Sequence, residues 1–118
     1  MGPEAQYRDY LAQGKFMLQR GTGSGEAFFP PRTHEPVSGD ATEWFEATGN
    51  GTIYAVTIIR KRAPEPDYTI VLVDLDDGPR LMSRVDGVAP DAVRIGMKVR
   101  ARIIAENDAP VLVFEPTA

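Results

Sequence analysis

The apolar positions of this chain fall into two regimes that meet near residue 47. In the first they are sparse and grouped. Tyr7, Tyr10 and Leu11 stand at i, i+3 and i+4, one stripe of a short helix over Pro3–Gln13. Pro3 suits its first turn, and Gly14 sits where a C-cap glycine belongs. Lys15–Arg20 follows as a short strand or extended run. Gly21-Thr-Gly-Ser-Gly25 offers no regular structure, because each glycine adds backbone entropy that folding must overcome. Phe28-Phe-Pro-Pro-Arg32 is apolar, yet its prolines bar it from a central strand and leave it an extended edge.

From Gly49 the pattern turns to β. Thr52–Ile59 is a strand opened by the turn-like Gly49-Asn-Gly51, and Tyr68–Leu75 is a second, closed by the hairpin turn Asp76-Asp-Gly78. Arg80–Val85 is the third. Pro90–Ile95 makes one helical turn ended by Gly96. Met97–Ile103 alternates apolar with basic residues, as a half-buried strand does. Val111–Phe114 closes the set before Pro116.

Five short strands, with one short connection between the third and fourth, predict an all-β fold over residues 48–118. The arrangement matches a five-stranded Greek-key barrel of the oligonucleotide/oligosaccharide-binding (OB) type. A helix often plugs such a barrel between its third and fourth strands; here that slot has room only for a stub. A five-stranded sandwich is the competing architecture. Residues 1–47 form the preceding unit, a helix and a loop-rich segment.

At 118 residues, 42% hydrophobic and 25% charged, the chain has the size and composition of one soluble globular domain with at most a small appendage. Thirteen basic against seventeen acidic residues give a net charge of −4, which argues against attachment to nucleic acid or anionic lipid through overall charge. Ten prolines and eleven glycines point to many turns. No apolar run approaches the roughly 18 residues that cross a bilayer, and the first residues lack a signal pattern, so a cytoplasmic location is the default expectation. The absence of cysteine removes disulfides, thiolate metal sites and cysteine nucleophiles together.

No constellation reads as an active site. His34 is the one histidine, in a loop too rich in proline and glycine to fix a base against a nucleophile, and it reads as a solvated side chain. Asp74, Asp76 and Asp77 occupy a strand end and its turn, where aspartate is favoured by its local backbone bonding. Gly21-x-Gly23-x-Gly25 lacks the strand-to-helix context and the Gly-Lys-Ser/Thr of a phosphate loop. The expectation is therefore a protein that is not an enzyme. Basic side chains occur at Arg60-Lys-Arg62 and, spaced along one strand face, at Lys98, Arg100 and Arg102. With Tyr54, Tyr68 and Phe114 they sketch a weak nucleic-acid surface, or one that meets the phosphates of a nucleotide-bearing cofactor. Phe28, Phe29, Pro30, Pro31, Trp44 and Phe45 lie in a segment with little regular structure to bury them. They form either a satellite core or a patch that a second protein covers.

The ordered set of short segments resembles a family of small proteins that join a zinc ribbon to an OB fold, long filed as a domain of unknown function and linked to acyl-CoA enzymes. It comprises the helix followed by Ala12-Gln-Gly-Lys-Phe16, Leu18-Gln-Arg20, Phe29-Pro-Pro-Arg32, Glu43-Trp44, Thr48-Gly-Asn-Gly-Thr-Ile-Tyr54, Val73-Asp-Leu-Asp-Asp-Gly78 and Ile95-Gly-Met-Lys-Val99. The resemblance covers nearly the whole chain. Family members carry C-x-x-C-G before the Pro-Pro-Arg and C-P-x-C-G after it, four thiolates on one structural zinc. This chain reads Gly21-Thr-Gly-Ser24-Gly25 and Glu35-Pro-Val-Ser38-Gly39 there, so all four ligands are replaced. The resemblance thus implies a degenerate ribbon without metal, and predicts a loose Gly21–Asp40 segment, because such a site normally contributes folding energy.

What the resemblance implies for function is an accessory subunit without catalytic residues, bound to a thiolase-like or other acyl-CoA-processing enzyme. On that reading Phe29, Pro30, Pro31, Arg32 and Trp44 dock the partner. No cofactor is held intrinsically, and Arg60, Arg62 and Arg100 are candidates for a direct acyl-CoA contact. The alternative from another class is a single-stranded nucleic-acid-binding OB module.

Overall fold

A computed structural model describes residues 2–36 and 39–117. Helix α1 (Pro3–Ala12) is followed by β1 (Met17–Gly21), β2 (Ala27–Phe28), β3 (Thr42–Glu46), β4 (Asn50–Ile59), β5 (Tyr68–Leu75), β6 (Arg80–Ser83), a 3-10 turn at Pro90–Ala92, β7 (Lys98–Glu106) and β8 (Ala109–Pro116). The strands make two antiparallel sheets, of order β2-β1-β3 and β6-β5-β4-β7-β8.

The five-stranded sheet curls into the expected OB barrel. Its two edge strands meet through a parallel bridge between Val85, just past β6, and Phe114 in β8. The Phe114 N–H donates to the Arg84 carbonyl at 3.0 Å, and the Asp86 N–H to the Phe114 carbonyl at 2.8 Å. The plug between third and fourth barrel strands is the single 3-10 turn, in the slot that the sequence leaves for a stub. β7 and β8 form a hairpin whose two turn residues, Asn107 and Asp108, both have positive φ, the backbone of a type I′ turn.

Every second residue of β5 (Thr69, Val71, Val73, Leu75) is buried inside the barrel beside Ile53, Leu81, Val99 and Phe114. The register of β4 against β5 shifts between Ile53 and Ala55, so inward positions change parity along β4. Near its start the two backbones come very close. A Cβ added to Gly51 would lie 2.6 Å from Val73 Cγ1 and 2.9 Å from the Asp74 carbonyl oxygen, so only glycine fits.

The first sheet is where sequence and structure part. Thr42–Glu46, which the pattern leaves without regular structure, is a strand paired along its whole length with β1, from Met17 opposite Glu46 to Gly21 opposite Thr42. Two bulky neighbours at Trp44 and Phe45 obscured its alternation; they serve opposite faces of a strand at the sheet edge. Within Gly21–Asp40 there are two turns with the same hydrogen-bond closure. Gly25 N–H donates to the Gly21 carbonyl and Gly39 N–H to the Glu35 carbonyl, each at 2.8 Å. Thr22 N–H to Ala41 and Glu35 N–H to Asp40 tie these turns back to the sheet, both at 2.9 Å. Val37 and Ser38, which belong to the second expected ligand motif, lie outside the described residues.

The two sheets share one apolar core. Phe16 and Leu18, flanking and on β1, belong to the same buried cluster as Val73, Val99 and Phe114, with Tyr7, Phe29, Phe45 and Ala47 packed against it. Among the described residues, no helix is long and apolar enough to cross a membrane.

The close approach at Gly51 yields a direct test. Gly51→Ala must push β4 from β5 and is expected to cost about 2 kcal/mol, the scale of overpacking a core. Urea unfolding of wild type and variant measures it.

Candidate interaction site

The segment from Phe28 to Arg32 is set by one buried side chain. Gln19, 3% exposed on β1, donates from Nε2 to the Arg32 carbonyl at 2.8 Å and accepts from the Arg32 N–H at Oε1 at 2.7 Å. Its Nε2 also reaches Thr42 Oγ1 at 3.2 Å. An amide that bonds both backbone groups of one residue fixes that residue as a sheet partner would. Arg32 is consequently held at the backbone while its guanidinium points to solvent, without a carboxylate partner among the described residues.

The aromatic residues around it are divided. Phe28 is buried. Phe29 is half-buried, its ring edge-on to Tyr7 with centroids 5.5 Å apart. Trp44 meets Tyr10 in the same manner at 5.3 Å, and Arg20 lies 4.9 Å over the Phe45 ring while pairing with Glu43. Helix α1 thus supplies Tyr7 and Tyr10 as covers for the two aromatics that the sequence left open. Much of the anticipated patch is a satellite core between helix and sheet. What remains at the surface is Pro30, Arg32, part of Pro31 and one side each of Phe29 and Trp44. Burial pushes the Tyr7 phenol up to about 12, because the folded state leaves little water to solvate a phenolate.

The positions expected to carry zinc converge in space but do not fit the ion. A Cβ on Gly21 would stand 2.9 Å from Ser24 Oγ and 3.0 Å from Glu35 Cγ, so the three positions face one point. Glu35 fills it, 4% exposed. One carboxylate and one hydroxyl do not make the thiolate set of a structural zinc, and the described residues contain no group of three or more His, Asp or Glu placed to hold a metal.

The cationic trio is not one site. Arg100 pairs in register with Asn50 at the start of β4, whereas Arg60 and Arg62 follow its last residue, about 30 Å away along an extended strand. Arg60 is engaged by Asp91 at 2.8 Å and Asp67 at 3.1 Å, and these hydrogen bonds raise its pKa; the Lys61 backbone N–H first, and Arg60 second, lower that of Asp67. Arg100 and Arg102 share Glu115, at 3.1 and 3.5 Å. Of the three, Arg62 alone lacks a carboxylate partner among the described residues. The other titratable candidates are structural. His34 is exposed beside Thr33; Asp74 binds Arg80; Asp77 accepts from the N–H and hydroxyl of Thr48 at 3.0 and 3.1 Å. A further cluster that no spacing announced joins Arg84 to Asp86 and Glu106. Hydrogen bonds that Arg84 donates to Glu106 first, then to Asp86, raise the Arg84 pKa, and Arg84 lowers that of Glu106.

Comparison with known proteins places these features. Residues 44–103 match the family model described as ChsH2, C-terminal OB-fold domain. A DUF35 domain-containing scaffold protein of Pyrococcus furiosus is 30% identical over 98 residues, 77% of this chain and 72% of that protein. A probable enoyl-CoA hydratase alpha subunit of Thermomonospora curvata is 33% identical over 111 residues. That match takes in 88% of this chain but 34% of the relative, so the chain spans about a third of that protein's length. A chain of the Ltp2-ChsH2(DUF35) aldolase superposes with a TM-score of 0.86 at 27% identity, over 98% of this chain and 95% of that one.

Two outcomes are expected from this geometry. A folded Tyr7 pKa raised above the usual tyrosine value contributes stability that is complete below pH 10 and lost as pH climbs toward 12. Tyr7→Phe should remove about 2 kcal/mol of that alkaline loss, read from unfolding curves at pH 9 and pH 12. Glu35→Ala should speed amide exchange in both turns at least tenfold while the barrel strands keep their protection, because it empties the point on which the turns converge.

Proposed function

Since this chain belongs to the DUF35 family, with a barrel of the ChsH2 C-terminal OB-fold type, we propose that it is a non-catalytic subunit of an acyl-CoA-processing assembly. It binds a thiolase-like or other acyl-CoA enzyme. Residues 1–47 act as a metal-free ribbon unit and residues 48–118 as the barrel. The observation that carries this reading is the superposition of nearly the whole chain on a chain of an aldolase assembly whose name carries DUF35. It is supported by relatives named as scaffold proteins and as alpha subunits of CoA hydratases. It is also supported by the site chemistry: Asp74, Asp77, Asp86, Asp91, Glu106 and Glu115 serve turns and ion pairs, and the one imidazole is exposed beside a threonine.

The partner-facing group is Phe29, Pro30, Pro31, Arg32 and Trp44. Arg32 is exposed and the best prepared, since the Gln19 clamp orders its backbone before binding and lowers the entropy cost of docking. Arg62 is the cation most able to meet a CoA phosphate, being free of carboxylates. Arg60 and Arg100 would first have to leave theirs.

A tagged full-length chain should co-purify with one acyl-CoA-processing enzyme, identified by mass spectrometry. Arg32→Ala should weaken that complex about tenfold with an unchanged melting temperature, the behaviour of an exposed anchor. Trp44→Ala should weaken it further and also lower the melting temperature, since Trp44 packs on Tyr10. Retention of no such enzyme, or turnover of acyl-CoA by this chain alone, would overturn the reading.

A further inference from the structure

An antiparallel sheet with one wet face alternates apolar and polar residues, whereas a strand covered on both faces is apolar throughout. β7 follows the first rule, with Lys98, Arg100 and Arg102 outside and Val99 inside. β5 follows the second. Thr69, Val71, Val73 and Leu75 fill the barrel, and Tyr68, Ile70 and Leu72 point the other way, where no side chain of the core needs them. Their cross-strand neighbours on that outer face are Ile59, Thr57 and Ala55 of β4, and Met82 of β6 opposite Leu72. Met82 is 68% exposed and Tyr68 40%.

The apolar surface does not stop at β6. On one side of Met82 a hollow of about 350 Å³ is walled by Tyr68, Ile70 and Leu112. On its other side a hollow of about 330 Å³ is walled by Leu81, Pro110, Tyr7 and Phe29. Met82, Val111 and Leu112 line both hollows, and the second reaches Phe29.

Charge at the rim selects the occupant. Lys61 stands 5.7 Å over the Tyr68 ring, and Arg62 follows it; neither has a carboxylate partner among the described residues. At the opposite end Arg80 covers Tyr54 at 3.4 Å and already holds Asp74. This end of the face therefore offers two cations without carboxylate partners among the described residues, with Glu65 the nearest unpaired acid in the same loop. A single-stranded nucleic acid would find aliphatic Ile70, Leu72 and Met82 where it needs open aromatic faces for its bases. A protein surface with an apolar centre and acidic residues at one edge answers both features.

We propose that the outer face of β4, β5 and β6, centred on Ile70, Leu72 and Met82, is a second docking surface for the partner enzyme. It takes an apolar region of that enzyme whose flanking carboxylates meet Lys61 and Arg62. This rests on the accessory-subunit reading above and adds to it a face on the barrel.

The test uses the full-length chain and the co-purified enzyme, separated and titrated by calorimetry. Met82→Asp is expected to weaken binding at least tenfold, and Lys61→Glu with Arg62→Glu to weaken it more at low salt than at high salt. Both changes lie on exposed side chains, so melting should be unaltered. Should Met82→Asp fail to fold, the charge variant and amide exchange of the wild-type complex decide: protection of residues 68–72 and 80–83 supports the proposal. An enzyme bound equally by both variants, with no such protection, overturns this inference and leaves the accessory reading standing; an enzyme not bound by the wild type overturns both. A dimer that Met82→Asp dissociates, or an oligothymidylate held by wild type and lost in these variants, reassigns the face and overturns it as well.

Discussion

Phe16 and Leu18 are carried by the first sheet but buried in the cluster of Val73, Val99 and Phe114 that fills the barrel. The rest of the architecture depends on this sharing. A segment of some forty residues cannot bury enough apolar surface to fold by itself, which is why small units ordinarily need a metal or disulfides. This chain has no cysteine for either. It supports the small sheet by threading β1 past the barrel core and by laying α1 across both units. The helix reaches β1 and β8, and Tyr7 and Tyr10 cover Phe29 and Trp44.

Within that frame the two cysteine-free turns of the first forty residues are closed alike. Two equivalent hydrogen bonds close them, and Glu35 occupies the point on which they face. A buried carboxylate supplies far less energy than a zinc ion. The shared core and the Gln19 clamp carry the share the ion gives elsewhere.

Electrostatics shapes the surface by subtraction. Arg60, Arg80, Arg84, Arg100 and Arg102 are each drawn into ion pairs with carboxylates of this chain, as befits a protein with more acids than bases. Among the described residues Lys15, Arg32, Lys61, Arg62, Arg94 and Lys98 have no carboxylate partner, and of these Lys61 and Arg62 stand at the edge of the apolar face around Tyr68. A diffuse basic face suits a polyanion. Isolated cations at the edge of apolar ground suit a protein partner.

The amino-acid pattern alone was enough for α1, for all five barrel strands and for the stub in place of a plug helix, because each rests on local periodicity, glycine and proline. It was enough, too, to mark Phe29 and Trp44 as aromatics that needed a cover, which Tyr7 and Tyr10 supply. Strand β3 escaped it, since Trp44 and Phe45 stand side by side and their separation onto two faces exists only once β1 is alongside. Which arginines are free was equally beyond it: Asp91 lies 31 positions from Arg60, and Glu115 meets Arg100 across a hairpin, so those pairings are set by the fold. The apolar run of β5 could be read from the chain as a strand, but that one of its faces is left open is a property of the closed barrel. Local sequence sets the shape of each segment; what covers a side chain, or cancels its charge, comes from residues that only tertiary packing brings near.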